Sequence, residues 1–176
     1  MYEGQKQKKE KLVRDNIISI AKSGGHNMPY RIVKGDEYRG FLAEKLQEEA
    51  LEFTEDRNEE ELADVLEVID AISAEFKLNH RKFDIPKVAA GVKELTVGDE
   101  GKTSENLITA CDRFNESKSL RNLNAVMSAI NNAAGAFGFL HGDIAGIAKI
   151  KASKRNAKGG FSDGIVVNLS DCKNGR

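Results

Sequence analysis

The chain has 176 residues and a formal net charge of −1, and its length suits one domain with a substantial core or two small repeats packed together. No apolar run is long enough to span a bilayer, and no basic start leads into an apolar signal segment, so we expect a cytoplasmic protein with no membrane partner. Cys111 and Cys172 stand in unrelated contexts, which predicts free thiols rather than a disulfide or a metal site.

The predicted elements are mostly helices. A polar, disordered arm over 1–10 is expected to precede one domain over 11–168, and a tail over 169–176 to follow it. Apolar periodicity and capping residues predict helices over 12–22, 36–55, 58–78, 103–116, 119–139 and 143–157, a further helix opening at 84–86, and a loop over 98–102. Short alternating segments at 30–33 and 164–167 predict two paired strands. The predicted fold class is therefore all-α, a helical bundle with at most a tiny two-stranded β element.

Charge is strongly segregated along this predicted bundle. Residues 36–75 contain fifteen acidic and three basic side chains, whereas 149–158 contains five basic ones and no acidic one. An acidic centre with basic flanks suits a site that holds a cation on carboxylates and phosphate on Lys and Arg, although oppositely charged surfaces also serve packing alone. Because the basic residues are few and the acidic segment would repel a phosphate backbone, no nucleic-acid partner is expected.

Two acidic pairs, Glu49-x-x-Glu52 and Glu61-x-x-Asp64, lie in the two successive helices of the acidic segment. Residues three apart on a helix point to nearly the same face, so a helical hairpin would turn the two pairs toward each other. Four converging carboxylates repel one another unless a cation lies between them. Hard oxygen ligands of this kind suit Mg²⁺, with Mn²⁺ as the substitute, and Mg²⁺ usually arrives with substrate phosphates.

The alternative interpretation is that these acidic residues belong to solvated helix faces, as most helical Glu residues do. The helical wheel argues against it, because Glu61 falls inside the apolar arc of its helix and Asp64 on the border. Glu49 lies beside the inner face of the preceding helix, and Glu52 about 60° further round. A carboxylate on a core-facing arc needs a partner, since burying it unpaired is costly.

An internal repeat at an offset of 61 residues relates the segment 46–80 to 107–141, with eight identities in 35 positions, mainly at core-type residues. A duplicated helical hairpin would keep such residues. The four carboxylates become other residues in the second copy, namely Ala110, Arg113, Asn122 and Ala125. Either the hairpin is duplicated and its second copy has lost the ligands, or two amphipathic hairpins coincide in apolar phase.

The ordered set of four motifs resembles the MazG-like nucleotide pyrophosphohydrolases, in particular the short phosphoribosyl-ATP pyrophosphohydrolase-like proteins. The motifs are Lys11-Leu-Val-Arg-Asp15, Glu49-x-x-Glu52, the segment Glu61-Leu-Ala-Asp64-Val-Leu-Glu-Val-Ile-Asp70, and Lys158-Gly-Gly-Phe161, and together they span about 1–80 and 141–168. The resemblance implies an all-α, oligomeric, Mg²⁺-dependent enzyme that cleaves nucleoside triphosphates between the α- and β-phosphates.

The resemblance also implies roles for residues. Metal ligands would be Glu49, Glu52, Glu61 and Asp64, and phosphate contacts would come from the basic motifs, through Lys11, Arg14, Lys151, Lys154, Arg155 and Lys158. Glu48 is a candidate general base because it adjoins the ligands, but it could equally be a surface residue. His26, His80 and His141 are isolated, and no Glu-x-x-His pairing indicates a di-iron bundle.

The chain departs from the short family members by an extra segment over 81–140, which the second hairpin would fill. Such a copy could replace part of a partner chain, so a homodimer with one metal site per chain is expected. A non-catalytic helical module that binds nucleotides or a protein partner remains the alternative function.

Overall fold

The computed structural model describes residues 10–85 and 99–169, and in them the protein is mainly helical with one small sheet. In chain order the elements are β1 (Glu10–Leu12), α1 (Ile17–Ser23), β2 (Tyr30–Ile32), α2 (Gly35–Asp56), α3 (Glu59–Phe76), α4 (Asp99–Glu116), α5 (Leu120–Ala136), a one-turn 3₁₀ helix (His141–Asp143), α6 (Ile144–Lys158) and β3 (Ile165–Asn168). The predicted class, a helical bundle with a tiny β element, is confirmed.

The sheet has three strands rather than the two that were predicted, in the order β1-β3-β2, and both pairings are antiparallel. The predicted pairing of 30–33 with 164–167 is correct, since Arg31 lies opposite Val166. The prediction of a helix from residue 12 is wrong at its start, because Lys11 pairs with Val167 and α1 begins only at Ile17. The pairing joins opposite ends of the sequence, so local periodicity could not reveal it.

The helices form two hairpins that share one core. In one hairpin α2 packs on α3, in the other α4 packs on α5, and α2 also packs on α4 while α6 covers α3. Phe53 of α2 and Phe114 of α4 are both fully buried where the hairpins meet. The connection between α2 and α3 is only two residues long, Arg57 and Asn58, which forces the two helices to run antiparallel.

The same hydrogen bonds recur at the helix ends of both hairpins, at positions that are 61 residues apart as in the sequence repeat. Asn58 caps α3 by accepting a hydrogen bond from the backbone N–H of Glu61 (2.9 Å), and Ser119 caps α5 in the same way (3.3 Å). At the C-terminal end of α3, the N–H of Leu78 donates to the carbonyl of Ser73 (2.9 Å). At the C-terminal end of α5, the N–H of Phe139 donates to the carbonyl of Ala134 in the same way (3.0 Å).

The aromatic contacts between the hairpins match as well. The ring of Phe53 meets that of Phe137 edge-on with centroids 5.3 Å apart, and Phe114 meets Phe76 edge-on at 6.2 Å. The 61-residue offset exchanges Phe53 with Phe114 and Phe76 with Phe137, so it maps one contact onto the other. These correspondences are expected if the hairpin is duplicated about a pseudo-twofold axis. The superposition of α4 and α5 on α2 and α3 stays a prediction.

Several predicted boundaries need correction. The predicted loop over 98–102 is wrong for 99–102, which belong to α4, because a single glycine, Gly101, weakens a helix by only about 1 kcal/mol and Glu100 of this turn pairs with Arg57. Asp84 and Ile85 are not helical, and the remainder of the helix predicted to open there lies outside the described residues. Residues 1–9 of the arm, 170–176 of the tail and Cys172 also lie outside them, whereas Cys111 is a buried free thiol.

Candidate metal and phosphate site

The α2–α3 hairpin brings the predicted carboxylates together. Glu49 of α2 and two acidic residues of α3, Glu61 and Asp64, each place one carboxylate oxygen within 4.8 Å of the others. On α2, Glu48, Glu49 and Glu52 form a second group within the same distance. Glu49 belongs to both groups, so it connects Glu48 and Glu52 to the group that contains Glu61 and Asp64. We call these five side chains the carboxylate cluster.

The cluster lies at the edge of the core rather than on an open helix face. Glu49 is only 5 % exposed, Glu61 and Asp64 are half-buried, and Glu52 is partly exposed. The helical wheel placed Glu61 inside an apolar arc and Glu49 only beside one, whereas in the structure Glu49 is the more buried of the two, because Glu61 lies in the first turn of α3, at the end of the hairpin. Of the four predicted metal ligands, Glu49, Glu61 and Asp64 are gathered at one place, and Glu52 adjoins them beside Glu49.

Electrostatics at the cluster favour binding of a cation. Burial raises the pKa of Glu49, and Glu52 and Asp64 raise it further, against the opposing effect of Lys45. Burial also raises the pKa of Glu61, and the neighbouring charge of Asp64 adds to the increase. Both shifts come mainly from burial, and repulsion between neighbouring carboxylates adds to them, so a cation bound among these oxygens would relieve that repulsion.

The donor set suits Mg²⁺ or Mn²⁺. Oxygens that share one Mg²⁺ at about 2.1 Å lie no more than roughly 4 Å apart, so carboxylate oxygens within 4.8 Å need only small side-chain shifts to reach one ion. All the donors are hard oxygens, which these ions prefer. The residues that would hold the ion are Glu49, Glu52, Glu61 and Asp64.

Lys45 is a member of the site that sequence reasoning missed. Its ammonium lies 2.5 Å from Oε1 of Glu49 and 2.9 Å from Oε1 of Glu48, and the side chain is buried. Burial alone would lower the pKa of Lys45, but Glu49 and Glu48 outweigh it and raise the pKa. The signal was available, because a Lys four residues before a Glu on one helix places the two side chains side by side.

Glu48, the candidate general base, lies in the cluster and contacts two cations, Lys45 and Lys11. Burial would raise the pKa of Glu48, but Lys45 and Lys11 together lower it. A carboxylate whose charged form is stabilised in this way is a weak proton acceptor. The structure therefore favours Glu48 as the partner that holds Lys11 and Lys45 beside the cluster.

Arg14 reaches the cluster from the segment after β1. One guanidinium nitrogen lies 2.5 Å from Oδ1 of Asp64, another donates to the carbonyl of Gly159 (2.9 Å), and the group stacks on the ring of Phe161 at 5.1 Å. The β1–β3 pairing places Arg14 beside the Gly159–Phe161 segment. These contacts fix the guanidinium in one position at the edge of the cluster.

Lys154 reaches the same carboxylate from α6. Its ammonium lies 2.8 Å from Oδ2 of Asp64 and also donates to the backbone carbonyl of Glu60 (3.0 Å). Each oxygen of Asp64 therefore has a different cationic partner, Arg14 on one and Lys154 on the other. α6 packs on α3 and runs antiparallel to it, since Lys151 contacts Asp70 while Lys154, further along α6, contacts the earlier Asp64.

The other predicted phosphate-binding residues point elsewhere. Lys151 contacts Asp70, further along α3, and Arg155 lies 3.5 Å from Glu67 with its side chain 58 % exposed. Lys158 is exposed and forms no ion pair with any residue that the structure describes. Lys11, Arg14 and Lys154 are thus brought to the cluster, while Lys151, Arg155 and Lys158 are not.

Gly159 and Gly160 follow α6, and other parts of the chain itself approach their backbone closely. Gly159 has φ +81°, and a β-carbon there would lie 2.9 Å from Cβ of Asp15. Asp15 in turn accepts hydrogen bonds from Ser162 and from the backbone N–H of Asp163. The glycines therefore hold the Arg14 segment against α6.

In the second hairpin, the residue in the place of Glu61 has a structural role. The side chain of Asn122 donates to the backbone carbonyls of Arg113 (3.1 Å) and Ser117 (2.7 Å), closing the turn between α4 and α5. Ala110 is buried and Ala125 is exposed, and neither offers an oxygen ligand from its side chain.

Replacing Glu61 by Gln is expected to raise the melting temperature slightly in metal-free buffer at neutral pH. Because the pKa of Glu61 is raised in the fold, its charge opposes folding above that pKa, and this penalty disappears as the pH falls through it. The gain should therefore shrink in acid. Glu116→Gln, an equal charge change at an exposed position of α4, is the control. A metal-free melting temperature below that of the wild type would contradict the electrostatic argument.

Comparisons of the chain with protein-family models, curated proteins and solved structures found no match. The resemblance of the four motifs to MazG-like enzymes therefore stays a prediction. Among the described residues, no helix combines the length and apolarity needed to cross a membrane.

Proposed function

We propose that this protein is a Mg²⁺-dependent nucleoside triphosphate pyrophosphohydrolase of the cytoplasm, which releases a nucleoside monophosphate and pyrophosphate. The observation that supports this proposal most is that possible metal ligands and cationic side chains lie together at one place. Carboxylates from two helices converge within 4.8 Å, and Arg14 and Lys154 approach the same Asp64 from two other parts of the chain. Hydrolysis of a phosphoanhydride needs both, oxygen ligands for a metal and cations for phosphate.

The roles of the chain's own residues follow from this arrangement. Bound Mg²⁺ would supply a Lewis acid that neutralises charge on the phosphates. Arg14 and Lys154 would bind oxygens of the β- and γ-phosphates and stabilise pyrophosphate as the bond from the α-phosphorus to the bridging oxygen breaks. Water supplies the new oxygen on the α-phosphorus. Of the two predicted catalytic carboxylates, Glu49 is assigned to the metal, and the charged form of Glu48 is stabilised by Lys45 and Lys11, which makes Glu48 a weak proton acceptor.

The test is product analysis with a panel of ribo- and deoxyribonucleoside triphosphates in Mg²⁺. We expect equal amounts of pyrophosphate and nucleoside monophosphate from at least one triphosphate, and no product with EDTA. Nucleoside diphosphate and inorganic phosphate as the products would contradict cleavage between the α- and β-phosphates. No turnover of any member of the panel would contradict the enzyme assignment.

One observation favours a second function, a non-catalytic module that binds nucleotides or a protein partner. The carboxylates at the centre of the cluster already have internal cations, as a purely structural ion-pair network would. The two functions differ in their response to Mg²⁺. A metal-binding enzyme is stabilised against unfolding by Mg²⁺, whereas a self-neutralised network is not.

We also propose a homodimer with one metal site per chain. The α4–α5 hairpin covers α2 within the chain and provides no second set of carboxylates. Because this hairpin covers a face of α2 that a partner chain would otherwise cover, we expect an assembly smaller than that of the short family members, namely a dimer.

A further inference from the structure

The cations on the carboxylate cluster differ in how firmly they are held. Arg14 is buried, and three contacts fix its position: the ion pair with Asp64, the hydrogen bond to the carbonyl of Gly159 and the stacking on Phe161. Lys45 is buried between two carboxylates, Glu48 and Glu49. Lys154 projects from α6 on a long side chain, and within the described part of the chain its ammonium is held by Asp64 and the Glu60 segment.

A divalent cation and the Lys154 ammonium compete for the same oxygen. The ammonium lies 2.8 Å from Oδ2 of Asp64, while Arg14 already occupies Oδ1. A metal ion bound to Oδ2 would lie close to the ammonium, and two positive charges a few ångströms apart repel. Lys154 is the easier of the two to displace, because moving it breaks no stacking contact and no bond to a glycine loop.

We propose that Lys154 is a displaceable counter-ion, which pairs with Asp64 in the metal-free protein and is released to bind phosphate when a divalent cation takes its place. The proposal rests on the proposed function and adds to it an order of events. Metal binding frees the ammonium that triphosphate binding needs. The two ligands should therefore bind with positive coupling, each raising the affinity for the other.

The test is Mg²⁺ affinity measured by isothermal titration calorimetry without nucleotide, for the wild type and for Lys154→Met. Because the variant lacks the competing cation, we expect it to bind Mg²⁺ more tightly, by about threefold or more. Lys158→Met is the matched control, since Lys158 lies one turn further along α6, is exposed, and should leave Mg²⁺ affinity unchanged. Lys154→Arg keeps the positive charge and should bind Mg²⁺ as weakly as the wild type.

A second measurement tests the released ammonium. With Mg²⁺ present, Lys154→Met should bind a non-hydrolysable triphosphate analogue more weakly than the wild type does. Equal or weaker Mg²⁺ binding by a folded Lys154→Met would overturn the counter-ion role even if the wild type turns triphosphates over. If Lys154→Met does not fold, Lys154→Gln takes its place. No Mg²⁺ binding by any of these proteins would instead overturn the proposed function as well.

Discussion

Asp64→Asn should lower the rate of Mg²⁺-dependent pyrophosphate release by at least about 100-fold, while the protein remains folded. The substitution keeps the shape of the side chain and removes the charge at the point where α3, α6 and the Arg14 segment meet. Arg14 keeps its bond to Gly159 and its contact with Phe161, so the fold should survive. Glu49→Gln should have the same effect on turnover, since Glu49 links the two halves of the cluster.

Steady-state kinetics with the best triphosphate of the panel measure this loss, and thermal unfolding with and without Mg²⁺ measures folding and metal binding together. The wild type should gain stability from Mg²⁺ and both variants should not. Glu116→Gln, with the same loss of charge outside the cluster, should behave as the wild type. Turnover by Asp64→Asn at the wild-type rate would show that Asp64 is not part of the active site.

Phe53→Ala and Phe114→Ala should each lower the free energy of unfolding by about 3–5 kcal/mol. Both rings are fully buried, and each meets a ring of the other hairpin edge-on. Truncation removes the buried area and leaves a cavity where the hairpins pack, so the two costs should be similar. Chemical denaturation measures them, and Leu140→Ala, at a position 62 % exposed, is the control and should change stability little.

A small effect of Phe114→Ala beside a large effect of Phe53→Ala would show that α4 and α5 do not share a core with α2 and α3. The duplication hypothesis would then lose its structural support. The carboxylate argument would not change, because all five members of the cluster lie on α2 and α3.

The fold could be predicted from the sequence wherever local chemistry determines it. The apolar stripe of α3 and its cap at Asn58 fixed both the helix and the direction of Glu61, and the short turn after Asp56 predicted an antiparallel hairpin. The strand β1 was missed because its partner, β3, lies at the far end of the chain. The start of α4 was missed because Gly101 was read as a loop signal, although one glycine costs a helix only about 1 kcal/mol and the contact of Glu100 with Arg57 joins segments distant in the sequence.

The candidate site, like the fold, could be predicted where residue spacing within one helix determines it, but not where distant segments meet. The carboxylate pairs follow from spacing of three residues, and the structure brings them together as the hairpin predicts. Which basic residues reach them could not be read from charge runs, since Lys154 and Arg155 are neighbours in sequence yet contact Asp64 and Glu67 respectively. Arg14 reaches Asp64 only because the sheet joins the two ends of the chain.

Anomalous diffraction from crystals soaked in Mn²⁺ would locate a bound metal ion without reference to turnover. We expect one strong peak per chain, within coordination distance of oxygens from Glu49, Glu61 and Asp64, with Glu52 joining them. The side chain of Lys154 should have moved away from Asp64 in the same crystals. Saturating Mn²⁺ with no peak among these carboxylates, and Lys154 still bonded to Asp64, would contradict the metal site on which the proposed function depends.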